Sequence, residues 1–107
     1  ITPGTPVTYN DPALTEAMAP TLRRALGAAQ VEIGRQTTTS EDYSLFQKKV
    51  PGVFYFLGVT PKGTDPAKIA PNHSPRFFAD EAALVPGVKA LSSLAIDYLA
   101  MGAKPKM

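Results

Sequence analysis

The sequence has 107 residues, the length of one small domain or of a segment of a larger one. Eleven basic side chains against nine acidic ones leave a net charge of +2, which gives no electrostatic support for a nucleic-acid or anionic-membrane partner. Cysteine is absent, so disulfides, thiolate metal sites and cysteine nucleophiles are excluded. No uninterrupted apolar run approaches the roughly 20 residues of a membrane span, and no signal peptide is visible. We therefore expect no membrane partner and a cytoplasmic location.

The first predicted elements are a short strand and a helix. Residues 5–9 alternate apolar and polar side chains beside proline, which is typical of an edge strand. Asn10, Asp11 and Pro12 then predict a helix start, because a capping side chain precedes proline at the first helical position. This helix should end near Gly27 and carry an apolar face with a spacing of four residues, at Leu14, Met18, Leu22 and Leu26.

The middle of the chain predicts two strands separated by a second helix. Residues 31–33 are a short strand candidate, and residues 53–59 give the strongest strand signal because they are apolar on both faces, as in a central strand. The helix between them should begin at Glu41 and stop before Pro51, since Thr39 and Asp42 have the spacing of a capping box.

The last part of the chain predicts a loop over residues 60–80 and a helix that starts near Pro86 and ends at Gly102. The apolar face of this helix should contain Val88, Leu91, Ala95, Tyr98 and Leu99. The alternation of elements predicts an α/β layer architecture. Because only two core strands are present, the fold should be incomplete as given.

Few side chains offer chemistry. His73, flanked by Pro71 and Pro75, is the only imidazole and so the only nitrogen ligand of that type for a transition metal. Glu41 and Asp42 are consecutive, so their side chains diverge on a helix, and capping explains them better than acid–base catalysis. Ser40 has no basic neighbour that could activate it, and glycine-rich phosphate motifs are absent.

Four sequence blocks are informative when taken together: TTSEDYSLF at residues 38–46, VPGVFYFLG at 50–58, NHSPRF at 72–77 and DEAALVPGV at 80–88. In this order they resemble the C-terminal part of the di-metal amidohydrolases, which include aminoacylases, hippurate hydrolases and indole-acetyl-amino-acid hydrolases. The resemblance implies the C-terminal portion of a zinc-aminopeptidase-like catalytic domain, an α/β fold with a mixed sheet flanked by helices, over residues 11–107. Residues 1–10 would be the end of a lid or dimerisation domain.

The resemblance also implies the chemistry of the site. His73 would be a metal ligand, and the full-length enzyme would use zinc, manganese or cobalt. Ser40, Glu41 and Asp42 would lie near the site without a catalytic role, and no catalytic residue is assigned to this chain. The substrate would be an N-acyl amino acid or a short peptide. Because a segment cut from a larger sheet exposes apolar edges, we also expect a homodimer or association through those edges.

The family's other ligands come from an HxD or CxH motif and a Glu-Glu pair, which this chain lacks. Because a pair of metal ions needs about five protein ligands and a general base, we expect the chain alone to be inactive and to hold no stoichiometric metal. A fragment is also expected from the first residue, Ile1, which is not methionine. The alternative is a freestanding, non-catalytic α/β interaction domain that self-associates through its aromatic strand and last helix.

Overall fold

The computed structural model describes residues 4–38 and 41–102. These residues form three α-helices, α1 (Pro12–Leu26), α2 (Tyr43–Gln47) and α3 (Leu84–Ala100). Single 3-10 turns lie at Ala28–Gln30, Pro66–Lys68 and Glu81–Ala83. The described part of the chain contains no β-strand, and its remaining residues lie in turns, bends or segments without regular structure.

The limits of α1 follow the predicted signals. The Asp11 carboxylate accepts the backbone N–H of Leu14 at 2.8 Å, and Pro12 takes the first helical position, where its missing N–H is not needed. At the other end Gly27 has a φ of 94°, a conformation that favours glycine. The helix is continuous through Pro20. The predicted start and end of α1 are therefore confirmed.

The small core lies where α1 packs against α3. Met18 and Leu22 of α1 are buried, as the spacing of four predicts, and Ala90 of α3 is fully buried. The predicted apolar face of α3 is wrong, because Val88, Leu91 and Leu99 are all more than 60% exposed. The helix is apolar around most of its circumference, so periodicity alone did not identify the side that contacts α1.

A polar cluster joins the same two helices near the C-terminal end of α3. The Thr21 hydroxyl donates to the Asp97 carboxylate, and Arg24 Nη2 donates to the same oxygen at 2.5 Å. Asp97 lies two turns after Ala90, on the side of α3 that faces α1. The hydrogen bond from Thr21 and then the bond and charge of Arg24 hold the pKa of Asp97 below its usual 3.8.

We predict that Asp97 makes the stability of the α1–α3 pair depend on pH. A lowered carboxyl pKa means that the stabilisation is complete above pH 3.8 and is lost as the pH falls through the folded-state pKa. Asp97→Asn should therefore lower the melting temperature at pH 7, and the difference from wild type should shrink below pH 3.8. Thermal unfolding at several pH values measures this, with Glu32→Gln at an exposed position as the control. A difference that stays constant with pH would contradict the role of the charge.

The predicted α/β fold is wrong for the described residues. Residues 53–59, the predicted central strand, have no regular secondary structure and no neighbouring strand. Instead, Asn10 Nδ2 donates to the carbonyl of Phe54 at 2.8 Å, and the N–H of Phe54 donates to Asn10 Oδ1 at 2.7 Å. The side-chain amide of Asn10 thus satisfies both the N–H and the carbonyl of Phe54, as the backbone of an adjacent strand would. Residues 5–9 and 31–33 also form no strand, because an apolar pattern does not supply the backbone partner that a sheet requires.

The chain leaves much apolar surface uncovered. Its accessible surface is 9115 Å², compared with roughly 5,800 Å² for a folded monomer of its mass. The radius of gyration is 15.8 Å, compared with about 13 Å for a compact domain of 100 residues. Large side chains that are more than 60% exposed include Ile33, Phe46, Phe56, Phe78, Val88 and Leu99. These residues are available to pack against further protein.

The region Glu81–Ala100 is long and apolar enough to cross a membrane by length and composition, with a mean hydropathy of 1.3. It is not an uninterrupted apolar run, since it contains Lys89 and Asp97. Core helices of soluble proteins meet the same criterion, but they are mostly buried, whereas this region is mostly exposed. Length and composition therefore do not assign α3 to a membrane.

Candidate functional site

The predicted metal ligand, His73, lies at the centre of a tight turn in the loop that follows residues 53–59. The N–H of Ser74 donates to the carbonyl of Pro71 at 3.1 Å, and the N–H of Phe77 donates to the carbonyl of Ser74 at 2.9 Å. Two turns therefore follow one another, with Pro71 and Pro75 fixing the backbone on both sides of the histidine. The predicted loop over residues 60–80 is confirmed, apart from the 3-10 turn at Pro66–Lys68.

The backbone of His73 adopts an unusual conformation. Its φ is 68°, and among the described residues it is the only residue other than glycine with a positive φ. The side-chain oxygen of Asn72 accepts the N–H of His73 at 3.0 Å and supports this conformation. A left-handed backbone costs a residue other than glycine about 1–2 kcal/mol. The turn accepts this strain while it holds an exposed imidazole at its tip.

The described residues do not form a metal site on their own. Nowhere in residues 4–38 and 41–102 do three or more His, Cys, Asp or Glu side chains come together. His73 can supply one imidazole nitrogen, and a bound divalent metal needs further ligands from elsewhere.

Among the described residues, Glu41 and Asp42 form no metal-holding group with His73. Ser40 lies outside the described residues, as does Thr39 of the predicted capping box. Glu41 Oε1 accepts the N–H of Tyr43 at 3.4 Å, and Asp42 directly precedes α2 without a side-chain cap bond. Glu41 therefore supports the start of this short helix.

An open cleft that sequence reasoning missed lies beside the turn. It consists of two adjoining depressions of about 140 and 320 Å³, and both are lined by Lys68, Ile69, Ala70 and Arg76. The smaller also contacts Phe77 and Phe78, and the larger also contacts Pro71 and Ser74 of the histidine turn. The sequence did contain a signal for this cleft. Lys68 and Arg76 are eight residues apart, and they lie on either side of the histidine that prolines flank.

Comparison with known proteins decides the family. Residues 1–97 match the family described as peptidase family M20/M25/M40. The chain belongs to this family. The resemblance to the di-metal amidohydrolases is therefore confirmed, and the M20 family is generally dependent on divalent metal.

Individual relatives agree with this assignment. The chain is 33% identical over 93 residues to Thermostable carboxypeptidase 2 of Saccharolobus solfataricus, covering 87% of this chain and 22% of the relative. It is 34% identical over 94 residues to IAA-amino acid hydrolase ILR1-like 4 of Arabidopsis thaliana, covering 88% and 21%. It is also 38% identical over 65 residues to N-acetyldiaminopimelate deacetylase of Shouchella clausii, covering 60% and 17%.

This M20 chain spans about a quarter or less of the length of the curated relatives it matches. No solved structure matches the chain at the significance threshold that these relatives meet. The metal-ligand role of His73 stays a prediction, because neither the geometry nor the comparisons test it.

Proposed function

We propose that this chain is part of a metal-dependent amidohydrolase that cleaves the amide bond of N-acyl amino acids or short peptides, with His73 as one of its metal ligands. The observation that carries the proposal is the M20 match over residues 1–97. The names of three relatives support the reaction, since a carboxypeptidase, an IAA-amino acid hydrolase and an N-acetyl deacetylase all break a bond between an acyl carbon and nitrogen.

The geometry of the turn supports the assignment of His73. An imidazole that binds metal must be accessible and held in place, and His73 is exposed at the tip of a turn between two prolines. The side chain of Asn72 supports the backbone of His73 from within the turn. When bound, zinc, manganese or cobalt would polarise the scissile carbonyl and activate water.

The chain alone should not catalyse this reaction. The described residues offer no cluster that could complete the coordination of a metal ion, and a pair of metal ions needs about five protein ligands and a general base. In the proposed enzyme these groups lie in the part of the protein that the 107 residues do not include. Residues 1–10 would belong to the lid or dimerisation domain and residues 11–107 to the catalytic domain.

The proposal predicts amide hydrolysis by the full-length protein. A panel of N-acetyl amino acids and dipeptides should release free amino acid, and a chelator should abolish the release until divalent metal is restored, because the metal activates the water. The isolated 107-residue chain, assayed in parallel, should release none. Activity that survives complete chelation, or an active isolated chain, would contradict the proposal.

A second candidate, association without catalysis, is favoured by the uncovered apolar side chains of α3. Val85, Val88 and Ile96 are each about two-thirds exposed, and such surfaces mark contacts with other protein. A homodimer is compatible with either function. Hydrolysis in the assay above decides between the two, because an interaction domain would release no amino acid.

A further inference from the structure

We propose that the cleft beside the His73 turn binds the carboxylate of a small organic acid with an apolar body. Lys68 and Arg76 supply its charge, since both line both depressions. This inference rests on the proposed function for the identity of the acid, an N-acyl amino acid, whose free carboxylate would lie in the cleft.

Charge is the first argument for an anion. No acidic side chain lines either depression, whereas two cations do. The two carboxylates nearest along the chain, Asp65 and Asp80, accept the N–H groups of Ala67 and Ala82 and cap 3-10 turns. Across the described residues the ion pair is that of Arg24 with Asp97, so Lys68 and Arg76 have no carboxylate partner there. Arginine binds carboxylates through two parallel hydrogen bonds, and lysine adds a point charge.

The other lining groups favour an organic acid over a bare inorganic anion. Ile69, Phe77 and Phe78 present apolar surface next to the cations. Ser74 Oγ accepts the N–H of Arg76 at 3.2 Å, which leaves its O–H group as a donor at the rim. The larger depression, at about 320 Å³, lies at the lower end of the size range of small-molecule sites.

Position links the cleft to the proposed reaction. Pro71 and Ser74 line the larger depression, and His73 lies between them in the sequence. A carboxylate held by Lys68 and Arg76 therefore lies next to the turn that presents the imidazole. His73 itself lines neither depression, so the cleft would orient the acid end of the substrate beside this turn.

The test is a binding measurement on the full-length protein in the presence of a chelator, which excludes a carboxylate–metal contact. The probes are N-acetylphenylalanine, its uncharged amide and inorganic phosphate, titrated by calorimetry. We expect the acid to bind at least about tenfold more tightly than the amide, because each charge-assisted hydrogen bond is strong. The double variant Lys68→Met with Arg76→Gln should lose this preference. The matched control, Lys49→Met with Arg35→Gln, removes two exposed cations elsewhere and should retain it.

Equal binding of acid and amide, an unchanged preference in the cleft variant, or phosphate binding as tight as that of the acid would each overturn the inference. The hydrolysis assay separates this result from the proposed function. A protein that hydrolyses N-acyl amino acids with the same KM in the cleft variant contradicts the cleft alone. A protein that binds the acid through Lys68 and Arg76 but hydrolyses no amide contradicts the proposed function and leaves the cleft as a carboxylate site.

Discussion

Replacing His73 by asparagine should lower the rate of amide hydrolysis by the full-length protein by more than about a hundredfold. Mutating a residue that only hydrogen-bonds to a metal ligand already lowers metal affinity or activity by about 10–100-fold, and loss of the ligand itself should have a larger effect. Asparagine tolerates a positive φ better than most residues, so the turn, whose φ is 68° at this position, should persist. His73→Ala would confound the result with added backbone strain. Steady-state rates and the melting temperature, measured on the same preparations, separate chemistry from folding.

The matched control is Lys62→Gln, at an exposed position of the same loop. It removes a charge from the same loop without removing a ligand, so the rate should be close to that of wild type. If the His73→Asn variant kept full activity and an unchanged melting temperature, His73 would not be a metal ligand. A large loss of activity in Lys62→Gln would show that any change in this loop impairs the enzyme.

Gly52→Ala should destabilise the protein by about 1–3 kcal/mol, the usual range for overpacking. Gly52 is buried, and a β-carbon there would lie 2.5 Å from the Tyr43 hydroxyl oxygen and 3.0 Å from Gln47 Cγ. The Tyr43 ring is held against the ring of Phe54, with their centroids 5.8 Å apart. The Gly52 carbonyl also accepts the N–H of Asp11 at 3.0 Å, so movement of this residue would disturb the start of α1. Chemical denaturation measures the free energy of unfolding.

Two variants sharpen the Gly52 test. Gly58→Ala adds a methyl group where no heavy atom lies within 4 Å, so stability should be unchanged or rise by up to about 1 kcal/mol. Tyr43→Phe removes the oxygen that the new β-carbon would meet, and in combination with Gly52→Ala it should recover part of the loss. A Gly52→Ala protein as stable as Gly58→Ala would show that Tyr43 and Gln47 move aside freely.

Local signals in the sequence predicted the helices better than the sheet. The limits of α1 depend on Asp11, Pro12 and Gly27, which act within one turn of the backbone and are readable from the sequence. Residues 53–59 have the composition of a central strand, but a strand also needs backbone partners, and in this chain the side chain of Asn10 provides them at Phe54. No local pattern indicates which distant residue takes those bonds.

The same limit applies to the candidate site. The block NHSPRF identified His73, and the family match confirms the resemblance that pointed to it. The fully buried residue of α3, Ala90, was not identified, because a small apolar side chain has neither size nor charge to distinguish it. Lys68 and Arg76 were missed because their shared cleft depends on how the loop turns at Pro71 and Ser74.

We propose that this chain contributes one metal ligand, His73, to an enzyme whose other ligands lie elsewhere in the protein. Elemental analysis tests this on three dialysed proteins, which are the full-length protein, its His73→Asn variant and the isolated 107-residue chain. We predict stoichiometric divalent metal in the first, a clear loss in the second and none in the third, because a single imidazole does not complete a coordination shell. Stoichiometric metal in the isolated chain, or undiminished metal in the His73→Asn variant, would contradict the claim.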